Sequence, residues 1–161
     1  MAHSLRGVFL MQDGRMKRKE LVCRTETQVR FSEVDSMGVV WHGHYVRYFE
    51  DGREAFGNLY GIHYMDFYHV GTMIPIVKIT CDYKKPLKYG DTVIIETRFV
   101  NCEAAKLLYD YTIYRNNTSD IVATGSTVQV FLNTDGELLL DLPPFFYEWK
   151  KKHGFIRDSE K

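Results

Sequence analysis

The chain has 161 residues, a size that favours one domain with a continuous core. Its 21 basic and 21 acidic residues cancel, so bulk charge gives no basis for a nucleic-acid partner. With 45% apolar and 26% charged residues it reads as an ordinary globular protein, and no apolar run approaches the ~20 residues of a membrane span.

Residues 1–20 fit no element. The apolar patch at 8–11 is too short for a signal-peptide core, and no small-residue cleavage site follows it. Lys17, Arg18 and Lys19 then form a brief basic run. The segment reads as a disordered N-terminal extension, with Met16 as an alternative start, and residues 21–161 as a single domain. Cys23, Cys81 and Cys102 are odd in number, far apart and without a CxxC pair. They are expected as reduced thiols of a cytoplasmic protein, not as a disulfide or a metal site.

The first strand is expected over 21–34, bulged or interrupted, with Val29 and Phe31 alternating against Arg30 and Ser32. It delivers Asp35 into a Ser-Met-Gly turn, followed by the apolar Val39, Val40 and Trp41. From about Gly43 the period becomes helical. Tyr45, Phe49, Gly52, Phe56 and Leu59 share a stripe, with Arg47, Glu50, Asp51 and Glu54 mostly off it. Gly57 and Gly61 punctuate the end of this long helix. The stretch 62–72, IHYMDFYHVGT, has no clean period. It reads as a short helix or a lid, with Tyr64, Phe67 and Tyr68 either walling a substrate or capping the core.

Four strand-like runs follow. The run 74–83 is rich in β-branched residues, with Val77, Ile79, Cys81 and Tyr83 on one face. Residues 84–91, KKPLKYGD, form a turn punctuated by Pro and Gly-Asp. Val93, Ile95, Thr97 and Phe99 share a face of the next strand; Leu107, Tyr109, Tyr111 and Ile113 share one after it. Residues 116–120 are a polar hairpin loop, and 121–132 the last strand, in which Gly125 suggests a bulge or bend. After a turn at 133–136, Pro143 and Pro144 open a final helix over 145–153, closed by Gly154. One long helix with a run of antiparallel strands is an α+β arrangement.

A helix start offers unpaired N–H groups and a positive dipole end, so it can hold an oxyanion. Asp35 lies on the loop leading into that start. A carboxylate facing oxyanion donors is the minimal equipment for acyl hydrolysis. By residue type alone Asp35 also suits the cap of the turn or of the helix.

The pattern Asp-x-x-Gly-x-Val-x-His-x-x-Tyr-x-x-Tyr-Phe-Glu, carried by Asp35, Gly38, Val40, His42, Tyr45, Tyr48, Phe49 and Glu50, resembles the signature of hotdog-fold acyl-CoA thioesterases. The branch it resembles is the 4-hydroxybenzoyl-CoA thioesterase type, which includes the thioesterases found beside the Tol-Pal system. The resemblance covers roughly residues 24–154. It implies the hotdog fold, an antiparallel sheet wrapped around one long central helix. It also implies hydrolysis of an acyl-CoA thioester to free acid and coenzyme A, with no cofactor or metal. The aspartate matching Asp35 either attacks the thioester carbon or activates a water, and both routes stay open. The N–H groups of His42 and Gly43 would polarise the thioester oxygen.

Other positions carry paired readings. The His42 ring orients substrate, exchanges a proton, or is a satisfied, partly buried histidine. His42 and His44 two residues apart at a helix start are poor metal geometry. Tyr45 packs on the acyl chain, bonds Asp35, or belongs to the core. A related branch carries its catalytic carboxylate on this helix, so Glu50 is expected as a helper to Asp35 or a structural acceptor. Lys84 and Lys85, with Lys88, meet the coenzyme A phosphates or form a solvated turn.

The resemblance implies a homodimer or homotetramer with the site at a subunit interface; an unpaired sheet edge is consistent with that. Aryl and short or medium fatty acyl groups are equally allowed. An acyl carrier protein in place of coenzyme A, a non-catalytic acyl-CoA binding module and a hotdog dehydratase are the competing readings. The Asp-loop pattern speaks against the last, which would want a His and a carboxylate on different elements.

Overall fold

The period-two stretches become five strands: β1 (Val22–Gln28), β2 (Ile76–Tyr83), β3 (Thr92–Val100), β4 (Lys106–Arg115) and β5 (Ile121–Val130). In the computed structural model, which describes residues 20–156, they form one antiparallel sheet in the order β1-β3-β4-β5-β2. The N-terminal extension expected over 1–20 lies outside the described residues, apart from Glu20. The helical-period stretch becomes α1 (His44–Tyr60), followed by α2 (Tyr64–His69), and the chain closes with α3 (Pro144–Lys152). A sheet around one long helix is the hotdog arrangement.

The expected faces of β3 and β4 meet the stripe of α1. Val93, Ile95, Thr97 and Phe99, with Leu107, Tyr109, Tyr111 and Ile113, are all buried, as are Tyr45, Phe49, Gly52 and Phe56. Each large side chain so buried contributes roughly 1.5–3 kcal/mol of transfer free energy. Two glycines let the helix come close. A Cβ on Gly52 would collide with Thr97 Oγ1 and lie 2.8 Å from Ile95 Cγ2; one on Gly125 would enter the Phe49 ring, which stacks on Tyr111 at 4.5 Å. The expected bulge at Gly125 is therefore absent. β5 pairs without a break there, Cys81 and Tyr111 flanking it, and the missing side chain makes room for Phe49. The register shifts fall instead between Ile76 and Lys78 and between Ile113 and Tyr114.

Other expectations are corrected. β1 ends at Gln28 rather than at Val34, because the Glu33 carboxylate accepts the Arg30 N–H at 2.8 Å and winds Phe31–Glu33 into a 3-10 turn. Leu59 leaves the buried stripe and is 49% exposed. The helix continues past it to Tyr60 and ends at Gly61 with φ +75°, and the chain then folds back so closely that a Cβ on Gly57 would lie 2.7 Å from His63 Cα. In α2 the three aromatics divide: Phe67 packs into the core against Phe131, Phe145 and Phe146, while Tyr64 and Tyr68 are exposed. The apolar face of β2 is only partly covered, since Val77, Ile79 and Tyr83 stay exposed on this edge strand.

Lys150 of α3 is only 3% exposed. Its Nζ donates to the Cys102 carbonyl at 2.7 Å and lies 5.7 Å from the Phe146 ring centroid. Burial lowers its pKa, with Cys102 and Glu103 acting in the opposite sense. Between that lowered native value and the ordinary lysine value, the unfolded chain binds more protons, so stability rises with pH. Urea melts of wild type and Lys150→Met should therefore diverge in favour of wild type as pH rises from about 7 to about 10. A pH-independent difference would contradict this.

Candidate active site

β1 and α1 are joined by a small hairpin. Val34 bridges Val40, the Trp41 N–H donates to Glu33 O at 2.9 Å, and the Asp35 N–H donates to Val39 O at 2.9 Å. The Asp35 side chain closes the tip: its Oδ1 accepts the Met37 N–H at 2.8 Å and the Val39 N–H at 3.4 Å. Gly38, at φ +76°, supplies the left-handed residue the turn requires. Asp35 thus does cap its own turn. Among the described residues nothing bonds its Oδ2, and the side chain is half-buried. No hydrogen bond joins Asp35 to His42, Gly43, Tyr45 or Glu50.

The helix begins where expected. Gly43 is the N-cap, with φ −67° and ψ −20°, and the His44 N–H donates to Trp41 O at 2.9 Å. The N–H groups of His42 and Gly43 donate to no acceptor among the described residues. The Trp41 ring folds over this start, where a Cβ on Gly43 would run into it, and stands 4.9 Å from the His42 ring. The His42 ring is exposed, so the buried-histidine reading is corrected. The His42 carbonyl accepts the Tyr83 hydroxyl at 2.8 Å, which ties the helix start to β2. Desolvation, then the neighbouring Cys81, pushes that hydroxyl up to about 12.

Tyr45 is a core residue, 3% exposed, with its ring edge-on to Tyr83 at 5.0 Å and to Tyr48 at 5.8 Å. Burial raises its phenol, and the backbone of Leu87 acts against that. Sequence reasoning gave Tyr48 no partner. The structure does: its buried hydroxyl donates to Glu33 Oε2 at 2.9 Å.

The lysine turn packs beside the hairpin. Val39 bridges Lys88, the Val40 N–H donates to Leu87 O at 2.8 Å, and Phe31 meets Tyr89 edge-on at 5.8 Å. Lys85 is committed to Asp120, with Nζ 2.9 Å from Oδ1. That bond is the leading cause of the lowered Asp120 pKa. Among the described residues no carboxylate lies within 4.0 Å of Lys84 or Lys88. Arg115 ties the turn together through the Pro86 carbonyl, Asp91 at 3.5 Å and Asp120 at 3.4 Å.

Two turns into α1, Glu50 is exposed and lines a cavity of about 270 Å³ with Arg53, Tyr64, Leu107, Tyr109 and Gln129, among others. Arg53 donates to the Tyr111 hydroxyl at 3.4 Å. Of the aromatic segment, only Tyr64 joins this wall, with Ile62 and His63 beside it. No three His, Cys, Asp or Glu side chains cluster as metal ligands among the described residues. No helix among them is long and apolar enough to cross a membrane.

The family model of the Thioesterase-like superfamily matches residues 29–150, a span that holds the hairpin, α1 and the whole sheet beyond β1. The putative acyl-CoA thioesterase YneP of Bacillus subtilis is 30% identical over 128 residues, covering 80% of this chain and 92% of that protein. The crystal structure of DHNA-CoA thioesterase from Staphylococcus aureus superposes with a TM-score of 0.75 at 26% identity, covering 83% of this chain and 91% of that one. A 4-hydroxybenzoyl-CoA thioesterase mutant complexed with 4-hydroxybenzoyl-CoA shares the fold, with a TM-score of 0.70 at 19% identity over 80% of this chain and 98% of that one. By sequence over most of its length and by fold, the chain belongs to the thioesterase-like superfamily of hotdog thioester hydrolases.

Proposed function

We propose that the protein hydrolyses an acyl-CoA thioester to a free carboxylic acid and coenzyme A, with Asp35 as the reacting carboxylate. One observation carries this reading. The hairpin spends one Asp35 oxygen on its turn and leaves the other unbonded, and the same hairpin leads directly into a helix start whose His42 and Gly43 N–H groups are also unbonded. As nucleophile, Asp35 attacks the thioester carbon, the oxyanion is met by those N–H groups, and collapse expels the thiolate. Water then cleaves the resulting mixed anhydride. As general base, Asp35 takes a proton from the water that attacks directly. Both routes end in acid and thiol. Label in the Asp35 carboxylate after a single turnover in ¹⁸O-water would establish the nucleophile route, with water opening the anhydride at the aspartyl carbon.

Lys84 and Lys88, on the turn packed against the hairpin, fit the coenzyme A phosphates, while Lys85 is held by Asp120 and acts as part of the turn's frame. Glu50 and the cavity it lines fit the acyl group, with Glu50 helping Asp35 rather than replacing it. The exposed apolar residues of β2 fit a second copy across that edge, giving a homodimer or a dimer of dimers. The free thiols Cys23, Cys81 and Cys102 fit a reducing, cytoplasmic setting.

The test is thiol release from a panel of aryl, short-chain and medium-chain acyl-CoA thioesters by wild type and Asp35→Asn. Fast release from one class, lost in the variant, supports the reading and names the acyl group. Tight acyl-CoA binding without turnover, unchanged in Asp35→Asn, would point instead to a binding module. Release only from acyl carrier protein thioesters would replace the carrier.

A further inference from the structure

We propose that Glu33 is a positioning residue for this hydrolysis, holding the Asp35 hairpin against α1 through the Tyr48 hydroxyl. The inference rests on the hydrolase reading above. Glu33 stands at the base of the hairpin that carries Asp35 and bonds groups on both sides of it. Its carbonyl accepts the Trp41 N–H at 2.9 Å, the residue directly before His42. Its Oε2 accepts the Tyr48 hydroxyl at 2.9 Å and the Arg30 N–H at 2.8 Å. Asp35 follows it by two residues.

The geometry is rigid because each partner is anchored elsewhere. Tyr48 is 1% exposed, in the second turn of α1, with its ring edge-on to Tyr45. A phenol donating to a carboxylate is a charge-assisted bond, shorter and stronger than a neutral one. Burial, and then the bond to Glu33, hold that phenol protonated well above its usual range, so it remains a donor at any working pH. The Val34–Val40 bridge and the Asp35–Val39 bond carry the constraint on to the carboxylate at the tip. Without the Glu33 clamp, the hairpin keeps the Trp41 packing at the start of α1 and the Val39, Val40 and Phe31 contacts to the lysine turn, but loses its side-chain hydrogen bond to the body of the helix. Misplacement of a reacting group by about 1 Å costs on the order of 10²-fold in rate.

The experiment compares kcat, KM and melting temperature for wild type, Glu33→Ala, Glu33→Gln, Tyr48→Phe and the Glu33→Ala/Tyr48→Phe double variant, on the thioester that wild type turns over fastest. Glu33→Ala and Tyr48→Phe should each lower kcat roughly 10- to 100-fold with KM held within about 3-fold. The double variant should be no slower than Glu33→Ala, since both changes remove one bond. Glu33→Gln should recover most of the rate, because its amide oxygen still accepts from Tyr48 and Arg30. A melting temperature that falls while kcat stays at the wild-type value would overturn the proposal and leave only a stabilising pair. Additive losses would also overturn it. So would a Glu33→Gln as inactive as Asp35→Asn, which would make Glu33 a reacting carboxylate. A wild type that releases no thiol from any thioester would overturn the hydrolase reading and this inference with it, whereas the pattern among the variants bears on Glu33 alone.

Discussion

Replacing Asp35 by Asn is expected to cut kcat for thiol release by on the order of 10³-fold, while the melting temperature moves by no more than about 2 °C. The turn explains why the two effects separate. Asp35 Oδ1 accepts the Met37 and Val39 N–H groups, and the Asn amide oxygen makes the same two bonds. What Asn cannot do is attack a thioester carbon or take a proton from water at neutral pH. Asp35→Ala loses the chemistry and the turn together, so it should add a stability loss of about 1 kcal/mol, the usual cost of removing such a cap. Activity that survives in Asp35→Asn would move the chemistry to another carboxylate, Glu50 two turns into α1 or Glu33 in the hairpin.

Gly125→Val is expected to lower stability by about 3 kcal/mol, which for a chain of this length is roughly 6–12 °C in melting temperature. A Cβ there would lie 2.5 Å from the Thr80 carbonyl oxygen and 2.6 Å from Phe49 Cε2. Thr80 is backbone of the neighbouring strand and cannot turn aside. Phe49 is fully buried and stacked on Tyr111 at an interplanar angle of 15°, so it yields only by unstacking or by lifting α1 from the sheet. Lifting α1 would also displace the helix start, so kcat should fall with stability. A Phe49→Leu change made in the Gly125→Val background should recover part of the melting temperature, whereas alone it should cost 1–3 kcal/mol, on the order of a partial core truncation. If Gly125→Val melts within a degree of wild type, the helix does not approach the sheet as closely as described.

Sequence by itself determined the elements and the local chemistry. Alternation in β3 and β4 and the helical stripe of α1 identified the faces that meet, and the Asp-x-x-Gly spacing announced the turn that Asp35 and Gly38 build. These are local properties. A strand face repeats every two residues, a helix face every three to four, and an Asp side chain reaches its own turn, so a short window contains the physics.

Where the reading went wrong, the deciding contact was distant. Gly125 looked like a bulge because the ring that needs its space, Phe49, belongs to another element. Leu59 continued the stripe on paper, but in the last turn of α1, just before the chain folds back at Gly61, it stays half exposed. Phe67 and Tyr64 are equivalent by type; only the packing of α2 sends one into the core and the other to a cavity wall.

The same holds around the candidate site. Glu33 and Tyr48 are 15 residues apart, Lys85 and Asp120 35, and His42 and Tyr83 41. Each of these pairs follows from strand order and from the line α1 takes across the sheet. That order is the sum of many weak packing preferences, none of them written in any one segment, so only the assembled tertiary structure decides which polar groups meet.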